Sequence, residues 1–117
     1  MKLVKSFGYA LQGIYVATCE QLNIKIHFLA VAVVTIAGLY FHIMPYEWCL
    51  IVICFGIVLT AELFNSAIEN LVDLVSPDHH HLAGKVKDIA AGAVLVSAIA
   101  SVIVSVLIFS KYICAYE

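Results

Sequence analysis

The sequence predicts an all-α integral membrane protein in which an N-terminal amphipathic helix at the membrane interface precedes three membrane-spanning helices. Three observations carry that expectation. Hydrophobic residues fill 64% of the 117 positions and charged residues 12%, with a mean hydropathy of +1.06, whereas soluble domains carry about a quarter of their residues charged. The apolar residues collect into three long runs. Turns bearing Pro45 and Pro77 separate those runs. The net charge is −2 and every basic residue is a lysine, so no arginine-rich strip is present to grip nucleic acid. Cys19, Cys49, Cys54 and Cys114 lack the paired spacing of a zinc site or a secreted disulfide framework and read as membrane-buried thiols.

Residues 1–26 carry the first element. Lys5, Ser6, Gln12 and Thr18 interrupt its apolar content, so it is no signal peptide. Phe7, Ala10, Leu11, Ile14 and Val16 or Ala17 recur at helical spacing with Lys2, Lys5 and Gln12 elsewhere on the wheel, as suits a helix lying in the interface. The first span covers 28–44, with Thr35 and His42 its polar residues, and stops at Pro45 beside the interfacial aromatics Tyr46 and Trp48. The second covers 49–73, uncharged as far as Ala61 and acidic at its far end. Ser76 to His81 breaks the pattern. Residues 89–110 then form a third uncharged run, long enough at about 1.5 Å per residue to cross a hydrocarbon core of about 30 Å. Residues 1–117 thus make one membrane domain. Three crossings put Lys2, Lys5, Lys25, Lys85 and Lys87 on one side and Lys111 on the other, which makes the N-terminus and the 74–88 loop cytoplasmic. Small residues such as Ala90, Gly92, Ser97, Ser101 and Ser105 allow close helix approach, and an oligomer is expected.

Glu62, Asn65, Glu69 and Asp73 are spaced by 3, 4 and 4 residues and so share one helix face. An acidic side chain at mid-bilayer costs about 2.5 kcal/mol or more, and crowding several adds repulsion unless protons or cations intervene. A divalent cation would relieve both costs. The plainer reading, a helix end wetted by cytoplasm, is disfavoured by Leu63, Phe64, Ala67, Ile68, Leu71 and Val72 on the other faces. Lys85, Lys87 and Asp88 precede the third span at the same end. Carboxylates for a hard cation together with a lysine suggest phosphoryl transfer, although a boundary lysine also serves as a topology anchor. Asp78, His79, His80 and His81 read as a polar loop contacting nucleotide rather than a transition-metal site, and His27 and His42 as interfacial.

Glu62-Leu-Phe-Asn65-Ser-Ala-Ile-Glu69-Asn-Leu-Val-Asp73, followed by Lys87-Asp88-Ile-Ala-Ala-Gly-Ala-Val94, resembles the signature of the prokaryotic diacylglycerol kinase family. These are small integral-membrane lipid kinases that include undecaprenol kinases. The resemblance runs from about Lys2 to Phe109 and takes in Gly8-Tyr9, Asn23-Ile-Lys25-Ile-His27 and Glu47-Trp48. It implies a homotrimer in the bacterial inner membrane whose active sites are shared between subunits at the cytoplasmic face. It implies Glu62 as general base, Glu69 as magnesium ligand, and Asn65 and Asp73 as their support. Lys87 contacts phosphate beside Asp88, the Asp78, His79 and His80 stretch closes over the nucleotide, and Lys2 and Tyr9 match further nucleotide-contacting positions. Where the family has a second metal-binding glutamate this chain has Gln21, a nucleotide contact, and the neighbouring Glu20 is the alternative metal ligand. The implied reaction is ATP-dependent phosphorylation, with Mg2+, of a lipid alcohol, diacylglycerol or undecaprenol, with the Pro77 loop tilting towards the undecaprenol branch. The rival is a small oligomeric cation carrier built on the intramembrane carboxylates and His79 to His81.

Overall fold

Helix boundaries in this chain follow turn chemistry more closely than hydropathy. The computed structural model describes residues 1–115, so the last two positions of the domain read over 1–117 lie outside the described residues. Four helices follow in order: α1 (Lys2–Glu20), α2 (Leu22–Phe41), α3 (Pro45–Val75) and α4 (His81–Ala115). The last three are each long and apolar enough to span a membrane. The surface helix expected over 1–26 ends early because Gln21 adopts an extended backbone, φ −112° and ψ 116°, and α2 starts at the next residue. The spans expected over 49–73 and 89–110 lie within longer helices, whereas the helix behind the span expected over 28–44 starts earlier, at Leu22, and stops at Phe41, because His42 turns left-handed and ends it. At about 1.5 Å per residue α4 is about 52 Å long, well beyond a core of about 30 Å, so both of its ends run into water where charge no longer interrupts a helix.

Two tight connections fold α2, α3 and α4 back on one another. The α2 helix terminates on His42 in the left-handed region, φ 52° and ψ 54°, with its N–H bonded to the Gly38 carbonyl, a helix stop usually given to glycine or asparagine. Pro45 then occupies the first turn of α3, where its missing N–H is no loss. At the second connection the His80 carbonyl accepts from Gly84 N–H at 3.0 Å and its Nδ1 accepts from Leu82 N–H at 3.0 Å, so His80 caps α4.

The α3 and α4 helices lie side by side along their whole length. Asp73 meets Lys87 at one end, Ser101 Oγ–H donates to the Cys54 carbonyl midway, and Glu47 meets Lys111 and Tyr112 at the other end. A small apolar core sits at the Glu47 end, built on Ile43, Ile51 and Ile108 with Phe41, Trp48, Phe55, Phe109 and Tyr112 packed around them. Glu47 is almost fully buried there. Its Oε1 accepts from Met44 N–H at 2.9 Å and from the Tyr112 hydroxyl, and its Oε2 pairs with Lys111 Nζ at 2.7 Å. Lys111 also donates to the Tyr46 hydroxyl at 3.2 Å and sits over the Tyr46 and Tyr112 rings. Elsewhere the protomer exposes large apolar side chains on every helix, and the free thiols of Cys19, Cys49 and Cys114 lie on that outer surface.

Gly38 is required by close approach. A Cβ at that position would stand 2.6 Å from Trp48 Cη2 and 2.8 Å from Cζ2. Gly38→Ala is therefore expected to destabilise the protein by about 1–3 kcal/mol, the usual range for overpacking, and adding Trp48→Leu should recover most of the loss. Thermal midpoints in one detergent check this, and an unshifted Gly38→Ala midpoint would contradict the packing.

Candidate active site

The antiparallel turns decide which polar residues meet. With α2 and α3 folded back at residues 42–44, positions equally distant from the turn come level. His27 then faces Glu62, with Nε2 3.2 Å from Oε1, and Gln21 faces Glu69, its amide donating to Oε2 at 3.0 Å. One turn away on α3, the Asn65 amide donates to Glu69 Oε1 at 3.3 Å. Glu69 thus holds an amide donor on each oxygen.

Depth sorts the four acidic residues of α3. Measured from Glu47, Glu62 lies about 22 Å along the helix, Glu69 about 33 Å and Asp73 about 39 Å, so with a core of about 30 Å only Glu62 lies within hydrocarbon. Its exposure is 0%, and Asn65 and Ser66 beside it are buried too. Glu62 Oε2, Asn65 Oδ1 and Ser66 Oγ are buried without hydrogen-bond partners among the described residues. Leaving such groups unmade is costly, so this cluster is where a polar ligand group gains most by arriving. Further out, Lys87 Nζ pairs with Asp73 Oδ1 at 2.6 Å, both side chains partly exposed.

The sequence profile of the prokaryotic diacylglycerol kinases matches residues 8–109. The chain belongs to the prokaryotic diacylglycerol kinase family. It is 40% identical to an undecaprenol kinase of Bacillus subtilis, over 92% of this chain and 88% of that one. It is 44% identical to a diacylglycerol kinase of Synechocystis over 87% of this chain, which spans 59% of that longer protein. With a diacylglycerol kinase of Escherichia coli strain K12 the identity is 28% over 87% of this chain and 84% of the other. This family member is a lipid kinase and a multi-pass membrane protein.

Its other family-motif residues do not converge within one protomer. Tyr9 and Glu20 line a groove of about 690 Å3 between α1 and α3, with Ser66 and Asn70 on its far wall. Glu20, the alternative metal ligand, lines that groove on the α1 stripe of Tyr9 and Gly13, while the extended backbone at Gln21 turns its amide to Glu69 on α3. Asp78, His79, His80, Asp73 and Lys87 line a cleft of about 290 Å3. Asp88 and Lys85 line a different cleft, about 540 Å3, with His79 and His81, because successive helical residues diverge by about 100°. Lys2 sits exposed in the first turn of α1 and joins none of these groups. No cluster of three or more His, Cys, Asp or Glu side chains suited to a metal occurs among the described residues.

Sequence reading took His27 as interfacial, whereas the fold sets it against Glu62, and it passed over Ser66 and the pairing of Glu47 with Lys111 and Tyr112 in this kinase. The available signal for His27 was register: it lies nearly as far before Met44 as Glu62 lies after it. The Asp73 to Lys87 pair is solvent-reached, and such pairs contribute about 0.2–1 kcal/mol. A double-mutant cycle with Asp73→Asn and Lys87→Met is expected to give a stability coupling under about 1 kcal/mol, and a larger value would mean that the pair is buried in the functional assembly.

Proposed function

We propose that this lipid kinase transfers the γ-phosphoryl group of ATP to the hydroxyl of a membrane lipid at the cytoplasmic face of the bacterial inner membrane. The observation that carries the reading is Glu62, a fully buried carboxylate with one oxygen held by His27 and the other without a partner. A lipid hydroxyl brought to Glu62 gives its proton to Oε2 as its oxygen forms the new bond to phosphorus. The bond from phosphorus to the β,γ-bridging oxygen breaks and ADP leaves with that electron pair. Burial of Glu62 keeps water from taking the lipid's place and hydrolysing ATP. Lys87, held by Asp73 at the wetted end, exchanges that carboxylate for nucleotide phosphate, an ammonium-to-anion contact of the same kind.

The donor set near Glu69 fits a hard cation. Every candidate ligand atom is oxygen: the Glu69 carboxylate, the orphaned Asn65 Oδ1, and the Gln21 amide once turned end for end. Glu69, Asn65 and Gln21 would hold Mg2+, whose charge, when bound, offsets that of the phosphate oxygens. A site with one carboxylate leans on nucleotide oxygens for its remaining ligands. The lysine distribution favours a cytoplasmic N-terminus. Motif residues spread over separate clefts, with apolar surface left on every helix, favour a homotrimer whose sites are completed between protomers. Undecaprenol is the preferred acceptor on the near full-length likeness to an undecaprenol kinase, with diacylglycerol second on the likeness to the Synechocystis protein.

Purified protein in nanodiscs, given radiolabelled ATP and undecaprenol or diacylglycerol in turn, is expected to place label in the lipid phase, more with undecaprenol. Label confined to free phosphate, or none released, would sink the assignment. Glu69→Gln preserves size but removes charge, and is expected to raise the Mg2+ needed for half-maximal rate and to cut turnover at least about tenfold, or about 1.4 kcal/mol. Gln21→Glu should act oppositely on the metal, lowering the half-maximal Mg2+, because it adds a carboxylate beside Glu69. A magnesium titration of both variants decides, and unchanged midpoints would remove the two residues from the metal site.

A further inference from the structure

His27 lies in the second turn of α2, and its Nε2 stands 3.2 Å from Glu62 Oε1. A carboxylate that serves as a base accepts hydrogen bonds, so in that role of Glu62 the ring donates through Nε2–H. The Glu62 side chain is 0% exposed and that of His27 21%, which makes the imidazole the link between a dry carboxylate and the surface. Among the described residues no other side chain is bonded to Glu62, and its Oε2 has no partner. A glutamate side chain turns about three bonds, yet a general base works only within hydrogen-bond reach of the proton it takes. One donor on one oxygen is the smallest device that fixes the carboxylate while leaving its other oxygen free.

We infer that His27 is a positioning residue for phosphoryl transfer, its Nε2–H holding Oε1 of Glu62 so that Oε2 is the oxygen that takes the lipid hydroxyl proton. This rests on the assignment of Glu62 as the base. His27 itself touches neither nucleotide nor lipid in this role, so its removal acts on turnover and not on substrate binding. An amide N–H at the same height can replace the ring N–H, whereas a methyl group cannot.

The experiment compares wild type, His27→Ala, His27→Gln and Glu62→Gln in nanodiscs, titrating Mg·ATP and undecaprenol separately and recording a thermal midpoint for each. His27→Ala is expected to lower kcat at least about tenfold with both KM values within about threefold, the pattern of an interaction made in the transition state. His27→Gln should recover most of kcat, and the midpoints should stay together. Wild-type turnover in His27→Ala would overturn the proposal. So would a kcat loss that His27→Gln does not recover, or one that tracks a falling midpoint in both variants. If His27→Ala does not fold, His27→Gln decides alone: near wild-type kcat supports the donor requirement, and a folded but inactive protein overturns it. An active Glu62→Gln would sink the base assignment and this inference with it, whereas an inactive Glu62→Gln beside a fully active His27→Ala would sink the role of His27 alone.

Discussion

Each acidic side chain of α3 meets a donor at its own height, and those meetings hold the register of the whole protein. Glu47 takes Lys111 and Tyr112 from α4, Glu62 takes His27 from α2, Glu69 takes Gln21 from the link between α1 and α2, and Asp73 takes Lys87 from α4. Apolar contact alone cannot fix how far one membrane helix slides past another, because lipid is as good a partner for leucine as a neighbouring helix is. A carboxylate in hydrocarbon is different. It costs several kcal/mol without a partner, so a slip of one turn at the level of Glu62 leaves a dry carboxylate unpartnered.

The four meetings are unequal, and their differences divide the molecule. At the Glu47 end the carboxylate is saturated by two side chains and a backbone N–H, and it sits over the apolar core of Ile43, Ile51 and Ile108. Nothing there is left to bind a ligand. At the opposite end, Glu62, Asn65 and Ser66 keep unpartnered oxygens, and the groove between α1 and α3 opens at Ser66. Saturation at one end supplies the fixed frame against which the incomplete polar groups of the other can be held ready for substrate.

A kinase for lipid alcohols has to bring together a substrate that lives in hydrocarbon and a polyanion that lives in water. The gradient along α3 answers that requirement, with a dry carboxylate at Glu62, an amide-lined carboxylate at Glu69 nearly two turns further out, and a lysine held in solvent at Asp73. The carboxylates of one helix face thereby occupy different dielectric environments. Tyr9, Asp78, Lys87 and Asp88 are spread over three separate clefts of the chain.

Hydropathy and helical period are local properties, and what depends on them was legible in the sequence. The three spans, the surface helix, the breaks near Pro45 and Pro77, and the acidic stripe from Glu62 to Asp73 all follow from residues within a turn or two of one another. The family followed as well, because its motifs are contiguous. Pairings between helices were not legible, since they depend on how tightly each turn folds the chain. The left-handed His42 sets the level of α2 against α3 and so brings His27 to Glu62. One extended residue at Gln21 brings its amide to Glu69. The burial of Glu47 against Lys111 and Tyr112 on a distant helix likewise needed the folded chain. Sequence determined which residues carry charge and on which face of which helix, and tertiary structure alone decided which of those charges stand at the same height, because height depends on backbone angles at two short turns.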